Sequence, residues 1–232
     1  MISKTQKRSR ATVEDERADC PFELHVASFP AARTGKNGRP SKKRGKPVKK
    51  NENTTTKTNS LFQPPLFAPT GKFRSDATMG VYYHIEPRQE WTSMTRYHSF
   101  ILNSEKYLTG EFVFVANENC IARGKLGEDL NAQVGLCNVW VAQVLEVRAL
   151  DERHVYARVC WMYSPDELPA GRRPYYGKNE IIASNHMDII NVLSIVHHAK
   201  VSQWIEADDE EIPDGLYWRQ AFDCGTSFSC PT

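Results

Sequence analysis

The stretch V-Y-A-R-V-C-W-M-Y at residues 155–163 decides the fold of this chain, together with the run L-C-N-V-W-V-A-Q-V-L-E-V at 136–147. Both runs are rich in β-branched and aromatic residues, which favour strands. The D-E-R-H stretch at 151–154 is polar and turns one run back on the other. The sequence therefore predicts two neighbouring strands at the centre of a β-structure.

Three aromatic residues in these runs suggest a binding function. Trp161 and Tyr163 are two residues apart, so their side chains leave the same face of the strand. If Trp140 meets them across the strand pair, three rings line a small cup that attracts a quaternary ammonium group such as methyl-lysine. A second interpretation is that the three aromatic residues belong to the buried core. The residues alone favour this interpretation, because tryptophans near strand ends usually pack into the core.

The remainder of the ordered chain reads as further short strands. Apolar, turn-bounded segments predict strands at 81–86, 96–102, 111–117, 179–184, 188–192, 194–201 and 216–223. Segments 118–135 and 208–215 predict loops, and Asp166 to Leu168 predict one helical turn after Pro165. Short strands with almost no helical periodicity indicate an all-β barrel or sandwich.

The N-terminal segment differs in composition from the rest. Residues 1–60 carry 15 Lys/Arg and 6 Asp/Glu, whereas residues 61–232 carry 15 Lys/Arg and 22 Asp/Glu. Few apolar positions repeat before residue 75, so we expect a disordered basic tail over 1–75 and ordered structure from 78 to 223. Residues 224–232 are expected to form a C-terminal extension.

The densest positive charge lies at 33–50 and favours a nuclear-import signal with loose phosphate contact. Fragments at 38–40 and 44–47 also resemble parts of an AT-hook, which enters the minor groove of DNA, although neither fragment is complete. The residues assigned to import and nucleic-acid contact are Lys42, Lys43, Arg44, Lys46, Lys49 and Lys50.

Several functional classes find no support in the sequence. No phosphate-binding glycine loop, nucleophile elbow or His-Glu-x-x-His pair is present, which argues against an enzyme. The six cysteines include no C-x-x-C pair, so neither a metal site nor a cofactor is expected. No apolar stretch reaches the roughly 20 residues of a membrane span, and the basic tail favours a nuclear protein without membrane partners.

The order of motifs resembles a bromo-adjacent homology (BAH) domain. The likeness is carried by G-E-F-V-F-V (110–115), W-V-A-Q-V-L-E-V (140–147) and V-Y-A-R-V-C-W-M-Y-S-P-D-E-L-P (155–169). It continues in Y-G-K-N-E-I-I-A-S-N-H-M-D-I-I (176–190) and Y-W-R-Q-A-F-D (217–223). The resemblance covers about residues 80–223 and implies a distorted, barrel-like β-domain with short helical turns. It is strongest to fungal and plant BAH proteins that read repressive methylation of histone H3.

The resemblance also implies roles for individual residues. In methyl-lysine-reading BAH domains the cage positions correspond to Trp140, Trp161 and Tyr163, although the first is commonly tyrosine in relatives. The histone-contacting positions correspond to His186 and Asp188. Glu167 occupies an acidic position that meets a histone arginine or stays solvated. With three aromatic cage positions, the cage becomes the favoured interpretation.

The implied function is that of a chromatin reader for trimethyl-lysine on the histone H3 tail. The expected mark is lysine twenty-seven, read in Polycomb-type transcriptional repression, with the nucleosome and subunits of repressive complexes as partners. DNA is a further expected partner of the basic tail. The alternative is a BAH interaction scaffold within a chromatin complex that does not bind methyl-lysine.

Overall fold

The structure is a computed structural model that describes residues 20–27, 60–67, 79–116, 139–205 and 212–224. The basic residues assigned to nuclear import, the expected loop at 118–135 and the extension beyond 224 lie outside these ranges. The part of loop 208–215 that precedes 212 lies outside them too.

A six-stranded antiparallel sheet forms the centre of the domain. Its two longest strands come from the apolar runs at 136–147 and 155–163, and they pair directly. The strands of this central sheet are β4 (Thr95–Tyr97), β7 (Phe112–Ala116), β8 (Val139–Ala149), β9 (Val155–Met162), β11 (Met187–Asn191) and β12 (Ile195–Ala199). The sheet order is β11-β9-β8-β7-β12, with β4 also paired to β8.

Smaller elements cover this sheet. They are β1 (Glu23–Ala27), β2 (Leu61–Gln63), β3 (Val81–Glu86), α1 (Arg88–Ser93), β5 (Ser99–Leu102), β6 (Glu105–Leu108), β10 (Ala183–Ser184), β13 (Val201–Gln203), β14 (Leu216–Trp218) and β15 (Ala221–Phe222). A three-stranded sheet of order β1-β3-β2 lies beside the central sheet, and β5 pairs with β6 as a hairpin. Two parallel pairs, β10-β15 and β13-β14, complete the described fold.

Both faces of the central sheet are buried against apolar side chains. Successive residues of a strand point to opposite faces, so β9 contributes Cys160 and Met162 to one core and Val159 and Trp161 to the other. The first core also takes up Tyr83 of β3. Burial on both faces explains why β9 reads as a continuous apolar run rather than an alternating one.

A buried ion cluster joins the central sheet to its cover. The carboxylate of Glu146 accepts from Arg148 at 2.7 Å and from Arg158 at 3.3 Å. Arg158 also donates to the side chain of Gln63 at 2.9 Å and lies 5.0 Å from the ring centroid of Tyr83. Burial raises the pKa of the Tyr83 hydroxyl. Removing one member of such a cluster leaves an uncompensated buried charge.

The all-β prediction is confirmed. Strand β3 has the predicted bounds, and the turn after β8 falls at 151–154, where the Asp151 carboxylate accepts from the backbone N–H of Arg153 and His154. The helical turn after Ser164 is a 3₁₀ turn at Pro165–Glu167. Within the described residues the central sheet runs from β11 to β12 as an open path and does not close into a barrel.

The expectation of disorder over the whole of 1–75 is wrong for two short segments. β1 pairs with β3 in register from Glu23↔Glu86 to Ala27↔Tyr82, and β2 pairs with its other edge. Phe22 is 3% exposed and contacts the rings of Trp91 and Tyr156. A few strand residues gain their stability from partners far along the chain, so averaged composition does not reveal them.

Helix α1 was not predicted from the sequence. It spans only six residues, Arg88–Ser93, and buries Trp91. A stretch this short shows too little periodicity to separate a helix from a loop.

Candidate functional site

The register of the central sheet places the three predicted aromatic residues on one face. Ala142 pairs with Trp161 and Val141 with Met162. Side chains alternate along a strand, so Trp140 shares the face of Ala142 and Tyr163 shares the face of Trp161, and both pack against the second core. Trp140, Trp161 and Tyr163, called the aromatic cup below, therefore lie together at one end of β8 and β9.

The members of the aromatic cup differ in exposure. Trp161 is 2% exposed and belongs to the second core, whereas Trp140 and Tyr163 are partly buried and pack against that core. The rings of Trp140 and Trp161 meet edge to face, with centroids 5.6 Å apart and an interplanar angle of 75°. Trp161 is thus the base of the cup, and the accessible aromatic surface belongs to Trp140 and Tyr163.

His186 holds Tyr163 in place. The tyrosine hydroxyl and the histidine Nδ1 are 2.6 Å apart, and the two rings are 22° from parallel with centroids 6.1 Å apart. The backbone N–H of Trp161 donates to the carbonyl of His186 at 2.9 Å. His186 therefore lies beside the cup, and its ring contacts Tyr163 directly.

Ser184 fixes the backbone next to the cup. Its hydroxyl donates to the carbonyl of Trp161 at 2.6 Å and accepts from the N–H of His186 at 3.1 Å. The Cys160 thiol donates to the Ser184 carbonyl at 3.0 Å, and burial raises the pKa of that thiol to about 12. Cys160 is therefore a protonated core residue at neutral pH.

The two predicted carboxylates occupy different surroundings. Asp188 pairs with Val159, so it shares the sheet face of Trp161, and its Oδ1 accepts from the Ile189 N–H at 2.8 Å. Glu167 lies in the 3₁₀ turn and accepts from the Ser164 N–H at 2.8 Å as part of a capping box. Glu167 thus has a local structural role, and contact with a histone arginine stays a prediction.

Phe222 is a neighbour of the cup to which the sequence analysis gave no role. Its ring meets that of Tyr163 edge-on, with centroids 6.1 Å apart and an angle of 75°. It is placed there by β15, which pairs with β10 in the register Ser184↔Phe222. Asp223, next to it, accepts from the side-chain amide of Asn185 at 2.8 Å. The sequence signal that could have identified these two residues is the Phe-Asp pair at the end of the motif 217–223.

A second group of motif residues, buried or half-buried, was also missed. Glu180 is 1% exposed, and its carboxylate accepts from Arg219 at 2.9 Å and from the N–H of Gly177 at 2.9 Å. A Cβ at Gly177 would overlap the hydroxyl of Tyr217. We call Gly177, Glu180, Tyr217 and Arg219 the loop anchor, because they fix the segment between β9 and β10.

The described residues contain no cluster of three or more side chains arranged to hold a metal ion. Over the same ranges, no helix has the length and apolar character needed to cross a membrane.

Comparison with known proteins gave one type of match. No protein-family model matches the sequence, and no curated protein matches it significantly. Among solved structures, the crystal structure of the yeast Rsc2 BAH domain is similar, with a TM-score of 0.38 and 17% sequence identity. The similarity covers 53% of this chain and 48% of that chain, so this chain matches about half the length of the solved protein.

Proposed function

We propose that residues 78–223 form a BAH-type chromatin reader that binds a methylated lysine of the histone H3 tail through the aromatic cup. The observation that carries this proposal is that Trp140, Trp161 and Tyr163 all belong to or pack against the second core, on one face of the central sheet. Ring faces attract a quaternary ammonium through their quadrupoles, and three rings on one face supply such an environment.

Tyr163 and His186 support the proposal through preorganisation. A tyrosine ring held by a hydrogen bond of 2.6 Å loses less rotational freedom when a ligand binds. Aromatic residues already in contact, as Trp140 and Trp161 are at 5.6 Å, likewise need little rearrangement. A small ligand group then meets a site that is largely formed before it binds.

The proposed ligand is trimethyl-lysine, and the leading candidate is lysine twenty-seven of histone H3. Lower methylation states retain N–H groups, and burying one without an acceptor costs about 1–3 kcal/mol. Asp188, one of the two assigned carboxylates, already accepts from the Ile189 N–H. His186 and Asp188 are the proposed contacts to the peptide backbone that flanks the modified lysine.

In the cell, this activity places the protein in the nucleus, on nucleosomes and with subunits of a repressive complex. A single reader module binds with roughly micromolar to tens of micromolar affinity, worth about 7–8 kcal/mol. Contact between the basic segment at 42–50 and DNA would add avidity on nucleosomes.

A second candidate function is a protein-interaction scaffold without methyl-lysine binding. The observation that favours it is the burial of Trp161, which at 2% exposure is a core residue in this conformation. Under this alternative the cup supports the sheet end, and the partner binds elsewhere.

Calorimetric titration across H3 peptides methylated at different lysines and to different degrees separates the two candidates. We expect binding of a trimethylated peptide, with at least tenfold weaker binding by the Trp140→Ala variant, equivalent to about 1.4 kcal/mol. Tyr97→Ala is the matched control, because Tyr97 is a 47% exposed aromatic residue on β4. Failure of the wild type to bind any methylated peptide would favour the scaffold.

A further inference from the structure

The segment between β9 and β10 presents positive charge next to an exposed tyrosine. It reads R-R-P-Y-Y-G-K at 172–178, called the basic loop below, and five of its seven residues are exposed: Arg172, Arg173, Pro174, Tyr175 and Lys178. Tyr175 is 51% exposed, and its ring centroid lies 4.5 Å from that of Tyr176.

Hydrogen bonds to its backbone hold the basic loop in place. The N–H of Tyr176 donates to the carbonyl of Arg173 at 3.1 Å, which closes a turn around Pro174. Arg219 donates to the carbonyl of Tyr175 at 2.7 Å while it pairs with the buried Glu180. The loop anchor therefore holds the backbone, together with Arg172, whose guanidinium donates to the carbonyl of Gly177 at 2.9 Å.

Most carboxylates of this region are already bonded within the chain. Asp166 pairs with Arg172 at 3.1 Å, Glu180 pairs with Arg219, and Glu167 accepts from the backbone of Ser164. Among the residues that the structure describes, neither Arg173 nor Lys178 forms an ion pair. These two cations are consequently available to an anionic partner.

We propose that the basic loop is a contact site for the phosphate backbone of duplex DNA. Arginine, lysine and the tyrosine hydroxyl are among the groups that contact phosphate oxygens, and such contacts need no base sequence. The site is separate from the basic segment at 42–50, and it does not require methyl-lysine binding. It connects to the cup through the bridge between Tyr163 and Ile182 at the base of the loop. A phosphate contact here would let DNA and an adjacent histone tail be bound together.

Fluorescence anisotropy of the full chain with a short labelled duplex tests this site over a series of salt concentrations. The Arg173→Ala/Lys178→Ala variant should bind about tenfold more weakly at low salt, and the slope of log affinity against log salt should fall by about 1.8 for two lost phosphate contacts. The matched control is Lys106→Ala/Arg153→Ala, which removes the same charge from exposed positions on β6 and in the 151–154 turn. Equal losses in the two variants would overturn the proposal, because the effect would then be one of net charge.

Two further variants sharpen the result. Tyr175→Phe removes only the hydroxyl and should weaken binding by a smaller factor than the double variant. Asp214→Asn removes an exposed negative charge from a residue whose carbonyl accepts from Asn179 at 2.6 Å, and it should strengthen binding. If the double variant instead loses binding to polyglutamate and keeps its affinity for DNA, the partner is an acidic protein surface and the DNA assignment is wrong.

Discussion

The aromatic cup and the loop anchor both consist of residues from the sequence motifs, but their side chains serve different purposes. The cup leaves Trp140 and Tyr163 partly accessible at the end of the central sheet. The loop anchor buries a carboxylate, packs a glycine against a tyrosine hydroxyl and leaves little surface for a ligand. The comparison shows that some motif residues are accessible to a ligand, whereas others are buried and hold the backbone in position.

The largest expected effect comes from breaking the loop anchor. Glu180→Ala leaves Arg219 without its buried partner and should lower the free energy of unfolding by about 3–5 kcal/mol. Arg172→Ala removes a largely solvent-accessible pair with Asp166 and a hydrogen bond to the Gly177 carbonyl, and should cost only about 1 kcal/mol. Urea denaturation of both variants measures the difference. Similar losses would mean that Glu180 is not structurally special.

Truncating the two tryptophans of the cup should separate folding from binding. Trp161→Ala removes a buried ring and should destabilise the domain by about 3–5 kcal/mol. Trp140→Ala removes a partly exposed ring and should cost about 1–2 kcal/mol while abolishing most peptide binding. Thermal melts beside peptide titrations check both outcomes. If Trp140→Ala unfolds the domain as severely as Trp161→Ala, the cup is part of the core.

Gly177→Ala tests the close contact in the loop anchor. The added Cβ would overlap the Tyr217 hydroxyl, and overpacking of this kind costs about 1–3 kcal/mol. Combining it with Tyr217→Phe, which removes the overlapping oxygen, should restore part of the lost stability. A double-mutant cycle on urea midpoints supplies the measurement, and strict additivity would argue against a direct clash.

A smaller effect is expected at the hydrogen bond that orients the cup. Tyr163→Phe retains the ring and removes its hydrogen bond to His186, so the free energy of unfolding should fall by about 1 kcal/mol. Peptide affinity should fall by less than in Trp140→Ala, since the ring face remains. Calorimetry on the two variants compares the losses, and an unchanged affinity would show that orientation by His186 is unnecessary.

The smallest effect is expected at the surface turn, which provides a contrast to buried Glu180. Hydrogen bonds from the His154 side chain and from backbone N–H groups lower the pKa of Asp151. A lowered folded-state pKa means that the stabilisation is present above the unfolded-state pKa and is lost as pH falls through the folded-state value. NMR titration of the Asp151 carboxyl should give a midpoint below that of an ordinary aspartate. A normal midpoint would contradict the hydrogen-bonded turn.

The sequence predicted the central strands well because their signals are local. β-Branched and aromatic residues and a polar turn identify β8 and β9, and the two-residue spacing identifies the shared face of Trp161 and Tyr163. What it did not predict depends on contacts between distant residues. β1 is stabilised by β3, far along the chain, and the burial of Glu180 depends on Arg219. The exposure difference between Trp140 and Trp161 likewise depends on the second core and has no local signature.

The central claim is that the aromatic cup binds a cation, and one calorimetric comparison tests it most directly. The wild-type chain is titrated with a trimethylated H3 peptide and with the same peptide carrying the neutral carbon isostere of trimethyl-lysine. The two side chains have nearly the same shape, so a difference reports the attraction between charge and ring faces. We expect the charged peptide to bind at least fivefold more tightly, equivalent to about 1 kcal/mol. Equal affinities, or no binding of either peptide, would contradict the account.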